Sequence, residues 1–262
     1  MSTPPHPAGD TIRFEITGGL AHITLNRPGS LNAVDAEMAA RWREVALAAV
    51  ADPRVGAILL DAAGTAFCAG GDVVHMARSG EGGAALTRLA EVVNEGSRAL
   101  LDSAKPMVAA VQGVVAGGGL GLMLTADYVV AASAARFVSK YADIGLTPDL
   151  GASVLLPRAI GETRALQLLL SDLALDARTA REWGLVAEVV APEALAARAE
   201  GVARAWLAGA TDAYGQAKRL VRAAASRPFA ASITDEAATI GRAFDSADAR
   251  SRVAAFVASR KH

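Results

Sequence analysis

Apolar and polar positions change period several times along the chain. Residues 11–16 and 21–25 alternate polar with apolar on either side of Gly18-Gly19, the pattern of a β-hairpin. Asn26-Arg27-Pro28-Gly29 breaks the second strand. Asp35 then stands where a helix N-cap is wanted. Met38, Trp42, Val45 and Ala49 come after it at helical spacing, to about Val50. Residues 55–60 are apolar without interruption, as in a strand covered on both faces. A small-residue turn, GTAFCAGGD over 64–72, comes next. Residues 79–83 are expected to be mobile, ahead of a helix over 84–103 with Leu86, Leu89, Val93 and Leu100 inward.

The stretch AVQGVVAGGGLGLMLTAD, residues 110–127, organises the rest of the chain. An apolar run over 107–111 predicts a strand, Gly113 and the triplet Gly117-Gly118-Gly119 a turn, and the small apolar residues 120–126 a buried helix. Such a helix leaves its first N–H groups unpaired and partly positive, and glycine lets a ligand oxygen come close to them. The place suits an oxyanion; the same glycines would also serve simply to pack a helix tightly on a strand. Further strands are predicted at 128–132, 136–139 and 186–190, with a Pro-Asp turn in the loop over 141–153. Helices are expected near 162–170 and 177–183. From Pro192 the chain reads as Ala-rich helices broken near Gly209 and Pro228, and Ser246 caps a terminal helix through Val253, Phe256 and Val257. Strand-turn-helix units followed by helices alone give an α/β class with a helical C-terminal appendage.

Composition narrows the function classes. The 262 residues are 52% hydrophobic and 20% charged with a net charge of −1, which fits a globular chain with no global field for nucleic acid or an anionic membrane. One cysteine, Cys68, excludes an internal disulfide, and four scattered histidines have no metal-ligand spacing. Residues 1–10 are Pro-rich, expected to fray, and unlike a signal peptide. No uninterrupted apolar stretch reads as a membrane span, so a cytoplasmic protein is expected. G-x-x-x-x-G-K-[ST], G-x-S-x-G and H-E-x-x-H are absent, and Gly117-x-Gly119-x-Gly121 lacks the rest of a dinucleotide fingerprint.

Two glycine turns remain, Ala69-Gly70-Gly71-Asp72 and Gly117-Gly118-Gly119, each after an apolar strand. With LNRPGSLNAVD, AFCAGGD, KPMVAAVQGVVAGGGLGL, ADYVVAA, GLTPDLGAS, LPRAIG and AREWGLV, they make the chain resemble the crotonase superfamily, the enoyl-CoA hydratase/isomerase family, from Thr11 onward. The resemblance implies a crotonase-type spiral of repeated ββα units. It divides the chain into an acyl-CoA-binding core over 11–200 and a helical oligomerisation region over 201–262, forming trimers or dimers of trimers. It implies an acyl-CoA thioester as substrate, with no separate cofactor or metal. The N–H groups of Gly71 and Gly118 would form the oxyanion hole for a thioester enolate. Ala69, Asp72, Val73, Val74 and Tyr141 would line the ligand site, and Asp72 also reads as a helix cap. Arg27, Lys105, Arg260 and Lys261 are candidates for CoA phosphates or plain solvated charges, and Phe244 and Phe256 for a trimer contact or ordinary packing.

The departures from the family pattern carry the functional reading. Family hydratases hold two glutamates that orient water; the matching positions here are Gly121 and Tyr141. One carboxylate stands at a loop position that the family's isomerase branches use, Asp149 in Thr147-Pro148-Asp149-Leu150-Gly151. The context is most like the ring-epoxide isomerase of phenylacetyl-CoA breakdown. A single carboxylate can take a proton from one carbon and return it to another. The alternative for Asp149 is a cap or an Asx turn after Pro148. Asp143 reads as structural, Cys68 as an embedded thiol, and His75 as the histidine nearest the site. The resemblance therefore implies an enoyl-CoA isomerase. The alternatives are a hydratase with another water-orienting set and a non-catalytic acyl-CoA binding protein.

Overall fold

The computed structural model describes residues 11–80 and 82–260. The expectations for residues 1–10, for Glu81 within 79–83 and for Lys261 lie outside the described residues. The hairpin forms as predicted, β1 (Ile12–Thr17) antiparallel to β2 (Leu20–Leu25) around Gly18 and Gly19, both at positive φ. Parallel strands β3 (Ala57–Ala62), β4 (Met107–Val111), β6 (Tyr128–Ala132) and β9 (Glu188–Val190) complete a six-stranded sheet, ordered β1-β2-β3-β4-β6-β9. Both faces of its middle are covered, which is why 55–60 and 107–111 read as unbroken apolar runs. One face packs on α1 (Ala36–Ala51), whose Met38, Trp42, Val45 and Ala49 are buried as their spacing predicts. The Asp35 carboxylate accepts from Met38 N–H at 2.9 Å as the N-cap. The other face packs on α8 (Leu195–Ala208), through Leu195, Ala199, Val202 and Ala203. The expected division at 200/201 thus falls inside a helix that belongs to the core.

A second, three-stranded sheet is only partly legible in the sequence. It orders β5 (Val114–Ala116), β7 (Arg136–Val138) and β8 (Ala174–Asp176). Only β7 is expected from the sequence; β5 and β8, three residues each, show no period of their own. The sheet positions the glycine triplet: β5 leaves Gly113 and delivers the chain straight into Gly117. Gly113 is obligatory there, since it sits at φ +59° and a Cβ on it would lie 1.8 Å from the Thr65 carbonyl oxygen.

The remaining helices are α2 (Val73–Ser79), α3 (Gly83–Asp102), α4 (Gly118–Leu124), α5 (Ala152–Ile160), α6 (Glu162–Leu169) and α7 (Ala177–Trp183). Along α3, Val93 and Leu100 are fully buried, whereas Leu86 and Leu89 are half-buried on a cavity wall. The C-terminal helices are α9 (Thr211–Ala224), α10 (Phe229–Phe244) and α11 (Ala247–Ser259), with breaks at Gly209 and Pro228 and with Ser246 capping α11 through Ala249 N–H. Among the described residues no helix is long and apolar enough to cross a membrane.

Candidate active site

The two glycine turns are sewn into one unit by main-chain hydrogen bonds. Phe67 N–H and Cys68 N–H donate to Gln112 and Val114, and Ala116 N–H donates back to Cys68 O at 2.9 Å. On the other side Ala69 N–H donates to Leu31 O, Val34 N–H to Gly70 O, and Asp72 N–H to Val34 O. An extended segment bridged this way turns its intervening amide outward, and that amide is Gly71 N–H. In the second turn Gly117 N–H is taken by Val138 O, while Gly118 opens α4 and has no carbonyl four residues back within the helix. Among the described residues no acceptor pairs with Gly71 N–H or Gly118 N–H.

The turns touch. A Cβ on Gly70 would lie 2.9 Å from Ala116 O and 3.2 Å from Gly118 N, and one on Gly119 only 2.4 Å from Cys68 O. Close approach of the two main chains is therefore what the glycines provide, and the two unpaired amides result from it. Asn32 secures the arrangement. It is fully buried at φ +55°, donates to Ala63 O and Ala66 O at 2.9 Å each, and accepts from Arg27 N–H. Sequence reasoning misses this role, although an Asn that tolerates a left-handed turn is a usable signal within LNRPGSLNAVD.

A cavity of about 450 Å³ opens over these amides, walled by Ala69, Gly71, Gly118, Tyr141 and Asp149, with Val73 and Met76 at its side. Six of the predicted positions thus meet, Val73 among them. Val74 is 55% exposed and outside this wall. Asp72 is also outside it: its carboxylate accepts from His75 N–H at 2.9 Å as the cap of α2 and pairs with Arg27 at 3.0 Å. Burial works against that charge, but the cap and the guanidinium hold the carboxyl below its usual range. Arg27 also pairs with Asp35 at 2.8 Å, and Lys105 Nζ donates to Ala49 O and Asp52 O, so both cations are engaged in the fold. Arg260 lies over the Phe256 ring.

Asp149 does not cap a helix with its side chain. The N-cap of α5 is Gly151, with no side-chain bond, and the Asp149 Oδ1 instead accepts from the Tyr141 hydroxyl at 2.8 Å. A Cβ on Gly118 would be 3.2 Å from that same Oδ1, so the carboxylate stands beside the second unpaired amide. Leu150 at φ +48° and Gly151 at φ +84° turn the loop inward, and strain at a non-glycine residue leaves no mark in the sequence. The inward turn fills the space next to Gly121: a Cβ there would lie 2.2 Å from Leu150 O. Burial raises the Asp149 carboxyl above its ordinary value, with the Tyr141 hydrogen bond opposing. Burial, followed by the Asp149 charge, raises Tyr141, which stays a phenol. The other carboxylate on the wall, Asp143, is held by Lys140 Nζ at 2.6 Å. Cys68 is buried, donates to Asn32 O, and its thiol is pushed up to about 12 by burial, which keeps it from acting as a nucleophile. His75 is exposed on a neighbouring chamber of about 680 Å³. That chamber is mainly apolar, shares Val73, Met76 and Leu86 with the cavity and runs along Ala36, Ala39 and Ala40. Among the described residues no group of His, Cys, Asp and Glu could hold a metal ion.

Residues 15–262 match the family model described as Enoyl-CoA hydratase/isomerase. The chain is 36% identical over 251 residues to the 1,2-epoxyphenylacetyl-CoA isomerase of Escherichia coli (strain K12), covering 95% of this chain and 96% of that one. It is 38% identical over 259 residues to a protein of Rhodobacter capsulatus named Probable enoyl-CoA hydratase, with the same coverage, 95% and 96%. A crystal structure of an enoyl-CoA hydratase/isomerase from Cupriavidus metallidurans CH34 superposes with a TM-score of 0.88 at 32% identity, over 97% of this chain and 96% of that one.

Proposed function

The chain belongs to the enoyl-CoA hydratase/isomerase family, and from that premise we propose that it moves a carbon–carbon double bond within an acyl-CoA thioester. In this reading the thioester oxygen accepts from Gly71 and Gly118 N–H. Asp149 removes a proton from C2 of a 3-enoyl thioester, and the electron pair moves through C2–C1 onto the thioester oxygen. The oxyanion hole holds that dienolate, as preorganised donors hold developing charge elsewhere. Collapse of the dienolate forms the C2–C3 double bond while the Asp149 carboxyl returns the proton to C4. No water enters the product. A carboxyl raised by burial is a stronger base than an exposed one, which suits a group that must take a proton from carbon and return it.

The observation that carries the reading is the position of Asp149 beside Gly118 in the cavity, free of any cation among the described residues, while Asp143 is paired with Lys140. A hydratase using the family's two glutamates has no room here, because Leu150 O occupies the space of a side chain at Gly121 and Tyr141 fills the other position. The adjoining apolar chamber fits the acyl group. The C-terminal helices leave Phe229, Ile240, Phe244 and Phe256 exposed, which supports a homo-oligomer of the trimer type.

The test is Asp149→Asn with a 3-enoyl-CoA, run in ¹⁸O-labelled water. The variant keeps shape and removes the base, so turnover should fall by about a hundredfold or more, with thioester affinity nearly unchanged. Unaltered turnover in the folded variant defeats the isomerase reading. Label in the wild-type product of a 2-enoyl-CoA points to the hydratase, and binding without turnover of 2-enoyl, 3-enoyl and ring-epoxide thioesters points to a binding protein.

A further inference from the structure

We infer that Tyr141 is a positioning residue for Asp149: its hydroxyl fixes one carboxylate oxygen, so that the other alone exchanges the proton with substrate. The inference rests on the isomerase reading. Tyr141 lies just past β7 and is 7% exposed, with its ring against the glycine triplet; a Cβ on Gly117 would be 3.8 Å from Tyr141 Cε1. Its hydroxyl therefore reaches across the turn that supplies one oxyanion donor to the loop that supplies the base, donating to Asp149 Oδ1 at 2.8 Å. No other side chain among the described residues bonds to the Asp149 carboxylate, and Asp149 lines the cavity.

The contact affects the chemistry in three ways. A carboxylate turns freely about its terminal torsion, and a proton returned from the wrong oxygen would miss a carbon two bonds along the chain. Pinning Oδ1 removes that freedom. The hydrogen bond also favours the charged form and so moderates the rise that burial imposes. Lastly, the phenol occupies the position where family hydratases hold their second glutamate, so one substitution both removes a water-orienting group and secures the base that remains.

The charged and titratable groups around Asp149 leave Tyr141 as its one side-chain partner among the described residues. Cys68 is buried, feels the Asp149 charge and stays a thiol. Lys140 and Asp143 neutralise each other on the cavity wall. Glu91, Glu95, Arg98 and Arg158 line a groove on the loop's other side, which Asp149 and Leu150 also border.

The experiment is a cycle of Tyr141→Phe, Asp149→Asn and the double variant, with kcat and KM followed against pH. Tyr141→Phe should lower kcat about tenfold or more with KM within about twofold. The acid limb of kcat reports ionisation of the base. Loss of the donor raises the Asp149 pKa further, so that limb should move to higher pH by about one unit. Added to Asp149→Asn, Tyr141→Phe should cost less than about twofold more, because a residue acting through another has nothing left to position. If Asp149→Asn itself retains full turnover, the isomerase reading fails. If Asp149→Asn is inactive but Tyr141→Phe leaves kcat and the acid limb unmoved, the positioning role fails and the isomerase reading stands. A rise in KM alone makes Tyr141 a substrate contact and overturns the inference, as does an equal loss in both backgrounds. Should Tyr141→Phe not fold, 3-fluorotyrosine placed at 141 keeps the hydroxyl and strengthens its donation. The acid limb must then move to lower pH, and an unmoved limb overturns the inference.

Discussion

The glycine turns and the C-terminal helices are both built largely from small residues, and they use smallness in opposite ways. In the turns, Gly70, Gly113, Gly119 and Gly121 are small because another main chain lies where their side chains would be. The main chain there is closely paired around the two amides that face the cavity. In α9–α11 small residues accompany exposed large ones. Among their residues only Gly215, Lys218 and Thr239 are buried, while Phe229 is 79% and Ile240 72% exposed. The first region is complete within one chain and can therefore hold its amides firmly in place. The second buries too little apolar surface to be stable for its own sake and is suited to packing against another copy.

Three substitutions test that contrast, beginning with the largest effect. Gly119→Ala places a methyl group against Cys68 O, the main-chain contact that joins the turns. It should cost about 3 kcal/mol, at the upper end of overpacking, and separate the oxyanion donors. Thermal melts and turnover should fall together; a variant that melts and turns over like the parent would show that the contact is slack. Lys218→Met cuts the tie between α9 and the core. Lys218 Nζ is buried and donates to Leu100 O and Lys105 O at 2.8 Å each, and pairs with Asp127 at 3.1 Å. Burial lowers the Lys218 pKa against the pull of Asp127, yet the two carbonyls need the donor. Removing it should cost about 2–3 kcal/mol, which is about 5–10 °C in Tm for a chain of this size. An unchanged Tm would mean that α9 is held by its neighbours alone. Phe256→Asp should barely move monomer stability, by about 0.5 kcal/mol or less. It should shift the mass seen by light scattering from oligomer to single chain. A mass already that of one chain in the parent protein would remove the reason for the exposed apolar face.

Legibility in the sequence divides along similar lines. Caps and periods are local, so Asp35, Asp72 and Ser246 are recognisable as caps from their neighbours, and each accepts from the amide three residues on. Breaks at Gly209 and Pro228 are equally plain. The helix α5 is not legible, since residues 152–160 carry Pro157 and come after a loop with no capping side chain. Asp72 and Val74 are expected at the ligand wall on motif position alone; the first is consumed by α2 and Arg27, and the second is exposed away from it.

Residue order alone dictates the main-chain conformations that glycine permits, the apolar runs of a doubly covered sheet, and a lone carboxylate where two glutamates are missing. Those are properties of residues and their near neighbours. Three features of the site come only from the packed fold: Leu150 turns left-handed, its carbonyl fills the space beside Gly121, and the Tyr141 hydroxyl meets Asp149 across eight residues. No pattern encodes these. Each depends on where β5, β7 and α4 set the ends of a loop, and a loop's path is fixed by the packing of its anchors rather than by its own residues.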